Sequence, residues 1–134
     1  MRKLIINGIT AILIATPWMT QADAIAELQM GYRQMGSGDF SSTGGEIIWN
    51  KEFPNPQSGQ LRNCALCHTN DLSKSGKHNR TGKPIEPMAP SVNPQRLTDT
   101  RKIEKWLKRN CKWTLGRECT PQEKGDLLAF LRDH

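Results

Sequence analysis

The chain has 134 residues, 36% hydrophobic and 24% charged, with a formal net charge of +6. That length makes one small domain, too short to build a large core from side chains alone. After the first segment, no stretch is long and apolar enough to span a bilayer, which needs about 20 residues.

Residues 1–24 read as a secretory signal. Arg2 and Lys3 make a basic start, Leu4 to Ile14 is mostly apolar, and Ala22-Asp23-Ala24 fits the small-x-small cleavage rule. The mature domain would be residues 25–134, soluble and periplasmic. Ile25 to Met35 is a short helix, with Ile25, Leu28, Met30, Tyr32 and Met35 apolar, ending at Gly36-Ser37-Gly38. Gly44 to Phe53 is a second helix, carrying Ile47 and Ile48, stopped by Pro54 and Pro56. Asn55 to Arg62 is a polar loop.

The run Cys64-Ala65-Leu66-Cys67-His68 is the attachment pattern of a c-type haem. Two thiols at this spacing can each add to a haem vinyl group, and the next residue presents an imidazole to iron. A zinc site would want a second Cys or His pair at similar spacing, and none exists. A thioredoxin-like pair would open a helix after a strand in a βαβ unit, and no such pattern surrounds it.

Asp71 to Val92 is rich in Gly, Pro, Ser and Lys and reads as irregular. Thr98 or Asp99 caps a helix running to about Arg109, with Ile103, Trp106 and Leu107 as its apolar stripe. Thr120, Pro121 and Glu123 form a capping box with proline in the first turn, opening a last helix that buries Leu127, Leu128, Phe130 and Leu131. Trp49 and Trp106 read as core residues. No alternating strand pattern is present, so the domain is all-α. Of four cysteines, Cys111 and Cys119 remain for a disulfide in an oxidising compartment.

Function turns on the group facing His68 across the iron. A strong sixth ligand makes an electron carrier, and a weak or absent one makes a gas-binding site. From the residues alone Met88, in Pro87-Met88-Ala89-Pro90, is the first candidate. It follows the haem motif in an irregular loop, as in class I cytochromes c. Met30 and Met35 suit a core role on their helix. His78 reads as a surface residue, and His134, at the terminus, as frayed.

Longer stretches are similar to one family. Arg80-Thr81-Gly82-Lys83, Pro87-Met88-Ala89-Pro90-Ser91, Glu104-Lys105-Trp106-Leu107-Lys108-Arg109-Asn110-Cys111 and Gly116-Arg117-Glu118-Cys119-Thr120-Pro121-Gln122-Glu123-Lys124 resemble SHP (sphaeroides haem protein), a family of oxygen-binding cytochromes c. The similarity runs from about Gly44 to Leu131. It implies a small class I-like cytochrome c fold around one covalently attached haem. It implies Asn110 as the sixth ligand of ferric iron and a disulfide between Cys111 and Cys119. An amide oxygen is a hard, weak ligand that tolerates ferric iron and binds ferrous iron poorly. Reduction would then release Asn110 and open the iron to O2, NO or CO. Met88 would become a packing residue. The resemblance also implies a multihaem cytochrome c as electron donor.

Removing Arg2, Lys3 and Asp23 with the signal leaves 17 basic and 12 acidic residues, a net charge of +5 before haem. Arg101, Lys102, Lys105, Lys108, Arg109, Lys112 and Arg117 cluster beside Asn110, and such a patch can steer an acidic redox partner. Trp113 lies within it. Nucleic acid does not fit an exported haem protein. Two other readings stand against gas binding. One is a plain His68/Met88 electron carrier. The other is a haem enzyme turning over NO or O2, although no distal acid–base pair is identifiable.

Overall fold

A computed structural model describes residues 20–134. The basic start and apolar run of the expected signal lie outside the described residues. Ala22-Asp23-Ala24 lies inside them, in the first turn of helix α1 (Gln21–Gln34). This helix starts four residues before Ile25 because Thr20 caps it. The Thr20 hydroxyl accepts from the Asp23 N–H, and the Asp23 carboxylate accepts from the Thr20 N–H in return. Ala24, Ile25 and Tyr32 turn inward, while Met30 and Met35 are exposed rather than in the core. Residues 25, 28, 32 and 35 share one face at helical spacing, and 30 falls outside it; Met35, although on that face, is the C-cap at the exposed end of the helix.

Helix α2 (Ser42–Asn50) is capped by the Ser41 hydroxyl and ends three residues before the expected Phe53. The reason is Pro54, which disfavours helical backbone at Phe53. Strand β1 (Phe53–Pro54) instead pairs with β2 (Leu61–Arg62), Phe53 opposite Arg62. A single turn, α3 (Ala65–His68), follows. The irregular segment contains a second two-residue ladder, β3 (Gly76–Lys77) with β4 (Pro84–Ile85). Strands this short carry no alternation to read, so the all-α expectation holds apart from two clips.

Helix α4 (Thr100–Leu115) is capped by Asp99, as expected, but runs well past Arg109. Asn110 and Cys111 are therefore inside a helix. The stop signal is Gly116, whose φ of +74° places it in the left-handed region. Helix α5 (Pro121–Arg132) starts at the Thr120–Glu123 capping box and buries Leu127, Leu128, Phe130 and Leu131. Its end is not frayed. The His134 ring packs edge-on against Phe130 at 4.6 Å, and Nδ1 lies 2.8 Å from the Phe130 carbonyl oxygen.

Helices α2 and α5 cross at Gly45, and α1 packs on α5 and α4. Two cores result. One joins Ala24, Ile25, Tyr32, Ile103 and Leu128 between α1, α4 and α5. The other gathers Trp49, Leu72, Ala89, Cys111, Leu127 and Phe130, with Cys64, Ala65, Met88 and Leu107 packed against it. The haem motif thus sits on the second core. Among the described residues, no helix is long and apolar enough to cross a membrane.

Candidate haem site

Cys64, Cys67 and His68 lie on one tight turn in which the Cys64 carbonyl accepts from the N–H groups of Cys67 and His68. The turn is fastened at both ends. The Cys64 N–H donates to the Trp49 carbonyl at 3.1 Å, and Thr69 reverses the chain with a φ of +65°. Gly76 then passes so close that a Cβ there would stand 2.0 Å from the Cys67 carbonyl oxygen. Only glycine fits that approach.

Neither cysteine is in a disulfide. Burial pushes the Cys64 thiol up to about 12, with nearby Cys67 adding to the shift. Burial, and then the charge of Arg96, holds His68 down to about 4. Its imidazole is neutral near pH 7, as a metal ligand must be. The ring stands against Trp49, with centroids 5.6 Å apart, and Trp49 Nε1 donates to the Thr69 carbonyl at 3.1 Å. His68 Nδ1 is buried without a hydrogen-bond partner. A buried neutral imidazole directly after two cysteines on one tight turn fits an iron-bound, doubly tethered haem.

Helix α4 reaches the same core through Leu107. At 3.6 residues per turn, Ile103, Trp106, Leu107, Asn110, Trp113 and Thr114 share one face, with Asn110 near its middle. Ile103 and Thr114 are buried, and Leu107 packs into the same core as Cys64 and Ala65. That core brings the α4 face and the haem motif to one place. Yet Asn110 is exposed, Trp106 is 49% exposed rather than in the core, and Trp113 is 37% exposed. An amphipathic helix that leaves two tryptophans of its apolar face uncovered has a surface sized for an apolar group.

The helix is held firmly. Tyr32 on α1 hydrogen-bonds Glu104, and Lys124 on α5 bonds the same carboxylate at 2.7 Å. Burial, then the hydrogen bond and charge of Glu104, raises the Tyr32 phenol. Cys111 and Cys119 are paired, with Cα atoms 5.5 Å apart, joining the last turns of α4 to the start of α5. Arg117 forks onto Glu123 at 2.7 Å, and Lys108 and Lys112 reach Glu118 at 3.5 and 3.1 Å. Arg101, Lys102, Lys105 and Arg109 have no salt-bridge partner among the described residues.

Met88 is part-buried against the core of Trp49, Leu72 and Cys111, and its N–H donates to the Leu72 carbonyl. His78 is a hairpin residue whose Nδ1 accepts from the N–H groups of Arg80 and Thr81. Sequence reasoning missed several contributors. Arg96 donates to the carbonyls of Pro87 and Glu86 and acts on His68. Arg62 reaches Trp113, its guanidinium 4.2 Å from the ring centroid. The Trp49–His68 contact and the Tyr32–Glu104–Lys124 link join residues 19 to 92 positions apart. No local spacing announces such pairs.

Comparison with known proteins follows the same lines. Residues 35–131 match a family model described as a domain of unknown function, DUF1924. Cytochrome c-type protein SHP of Cereibacter sphaeroides is 38% identical over 126 residues, covering 92% of this chain and 94% of that protein. The chain belongs to the SHP and cytochrome c″ family. The solved structure of oxidised SHP, described as an oxygen-binding cytochrome c, superposes with a TM-score of 0.73 at 38% identity, covering 82% of this chain and 96% of that one. A solution structure of cytochrome c″ from Methylophilus methylotrophus, described in terms of haem-ligand detachment, gives 0.71 at 36%, covering 82% and 93%. As a member of this family the chain is a c-type cytochrome with one covalently bound haem. Its fold is that of SHP.

Proposed function

We propose that this cytochrome accepts an electron at its haem and then binds a small diatomic molecule, O2, NO or CO, on the face covered by α4. In this reading Cys64 and Cys67 tether the haem and His68 is the proximal ligand. Asn110 is the ligand of the ferric state. The observation that carries it is Asn110 itself, an exposed amide in the middle of an apolar helix face between two uncovered tryptophans. A polar residue there needs a partner once the face is covered. The haem supplies the redox couple and the coordination position. Asn110 supplies a hard, neutral oxygen suited to ferric iron. Trp106 and Trp113 exclude water, and Tyr32, Glu104 and Lys124 hold the helix in register. The packing of Met88 against the core supports its reading as a pocket wall. The oxygen binding stated for SHP and the ligand detachment stated for cytochrome c″ support the same assignment.

The compartment and partners belong to this proposal. The chain is exported to the periplasm, cleaved after Ala24, and keeps its Cys111–Cys119 disulfide there. The unpaired Arg101, Lys102, Lys105 and Arg109 steer an acidic redox partner, a multihaem cytochrome c donor. The deciding experiment is the visible spectrum of the holoprotein, ferric and ferrous, with and without CO. A high-spin ferrous spectrum that shifts on CO addition is expected, as is a five-coordinate ferric spectrum in Asn110→Ala. A low-spin ferrous spectrum indifferent to CO would overturn the reading and return Met88 to the iron.

A further inference from the structure

We propose that Arg62 is a positioning residue that straps the distal helix to the haem-attachment segment and slows the entry of a diatomic ligand; this rests on the gas-binding reading above. Arg62 lies two residues before Cys64, and Trp113 lies three residues after Asn110 on the same helix face. The Arg62 Nη1 donates to the Trp113 carbonyl at 3.1 Å, and the guanidinium lies 4.2 Å from the Trp113 ring centroid. One side chain therefore holds both the backbone and the ring of the same residue. The carbonyl belongs to the last turn of α4, where helix carbonyls lack partners and the helix end attracts a cation. Each contact has its own physical reason, and they act together.

Both anchors are stiff. Arg62 is paired with Phe53 in the β1–β2 ladder, and Cys64 is hydrogen-bonded to Trp49. The far end of α4 is tied to α5 through Cys111 and Cys119. The strap thus ties the last turn of α4 to the segment that leads into the haem motif. On its other side Arg62 lines a cleft of about 270 Å³ with Leu61, Leu66 and Asn79. Solvent therefore reaches Arg62 from that side. Trp113 keeps enough exposure to swing once the guanidinium is gone.

The test compares wild-type holoprotein with Arg62→Met. CO association with ferrous haem is followed by flash photolysis, and amide exchange is followed along the ferric chain. Association should quicken about tenfold in Arg62→Met, equivalent to about 1.4 kcal/mol. Exchange should quicken in residues 110–115 and stay unchanged in α2 and α5. Arg62→Lys keeps the charge but loses the fork and plane, so its rate should be intermediate. It also serves should Arg62→Met not accumulate with haem. Arg33→Met removes a cation stacked on Phe40, 4.9 Å from its centroid and away from the haem walls, and should bind CO at the wild-type rate. Association within twofold of wild type in both Arg62 variants, with CO bound to all, would overturn the strap alone. So would faster exchange spread evenly over the chain. A wild-type ferrous haem that ignores CO would overturn the gas-binding reading and the strap with it.

Discussion

Gly45→Ala tests the packing that places the haem motif. An ideal Cβ at Gly45 would stand 2.2 Å from the Asp126 carbonyl oxygen and 2.6 Å from the Phe130 Cβ. Ordinary contact begins at 3.4 Å, so α2 and α5 would have to part by about 1 Å. Neither struck atom can rotate away, because one is backbone and the other is fixed to it. Overpacking of this kind costs about 1–3 kcal/mol. Alanine recovers about 1 kcal/mol through its better helix propensity. Contact with backbone puts the cost at the upper end, so the net loss should be about 2 kcal/mol, or about 8 °C in Tm for a domain this size. The damage should reach the site, because Trp49, one turn after Gly45, stands between His68 and Phe130. Gly31→Ala is the control. Its Cβ would meet nothing within 4 Å on α1, so it should gain about 1 kcal/mol. The assay is guanidinium unfolding of the ferric holoprotein, read by tryptophan fluorescence and the Soret band. Equal or greater stability in Gly45→Ala, or a loss in Gly31→Ala as large as that in Gly45→Ala, would refute the reasoning.

Three further outcomes are expected. Replacing Cys111 and Cys119 by serine opens a loop of separation 8, and chain entropy sets the loss at about 2.6 kcal/mol. Denaturant midpoints compared without reductant measure it. Glu123 lies below its usual 4.5, first because Arg117 hydrogen-bonds its charged form. A depressed carboxylate adds stability that is complete above its unfolded value and is lost as pH falls through the folded one. The wild-type advantage over Glu123→Gln should therefore be about 1 kcal/mol at pH 7 and shrink below pH 4.5. A gap unchanged between pH 7 and 3 would contradict this. Intact mass of the exported protein should correspond to haem plus residues 25–134. A mass retaining Thr20 would mean that its cap on α1 survives export.

The sequence by itself determined the local chemistry. Spacing alone carries the Cys64–Cys67–His68 motif, because attachment and proximal ligation use neighbouring residues. The start of α5 was legible for the same reason, since a capping box is complete within four residues. Failures came where an outcome depended on distant partners. Met35 and Trp106 are apolar at helical spacing, yet both are exposed, because burial depends on what packs opposite each face. The end of α4 was misplaced because Asn110 resembles a terminus, whereas the left-handed Gly116 provides it. Only the tertiary structure decided that Asn110 occupies an uncovered apolar face joined through Leu107 to the core beneath Cys64. Only it could bring Trp49 to His68, Arg96 to the Pro87 carbonyl and Arg62 to Trp113. Those contacts form when helices and loops dock, and docking is set by the fit of whole surfaces rather than by any run of neighbouring residues.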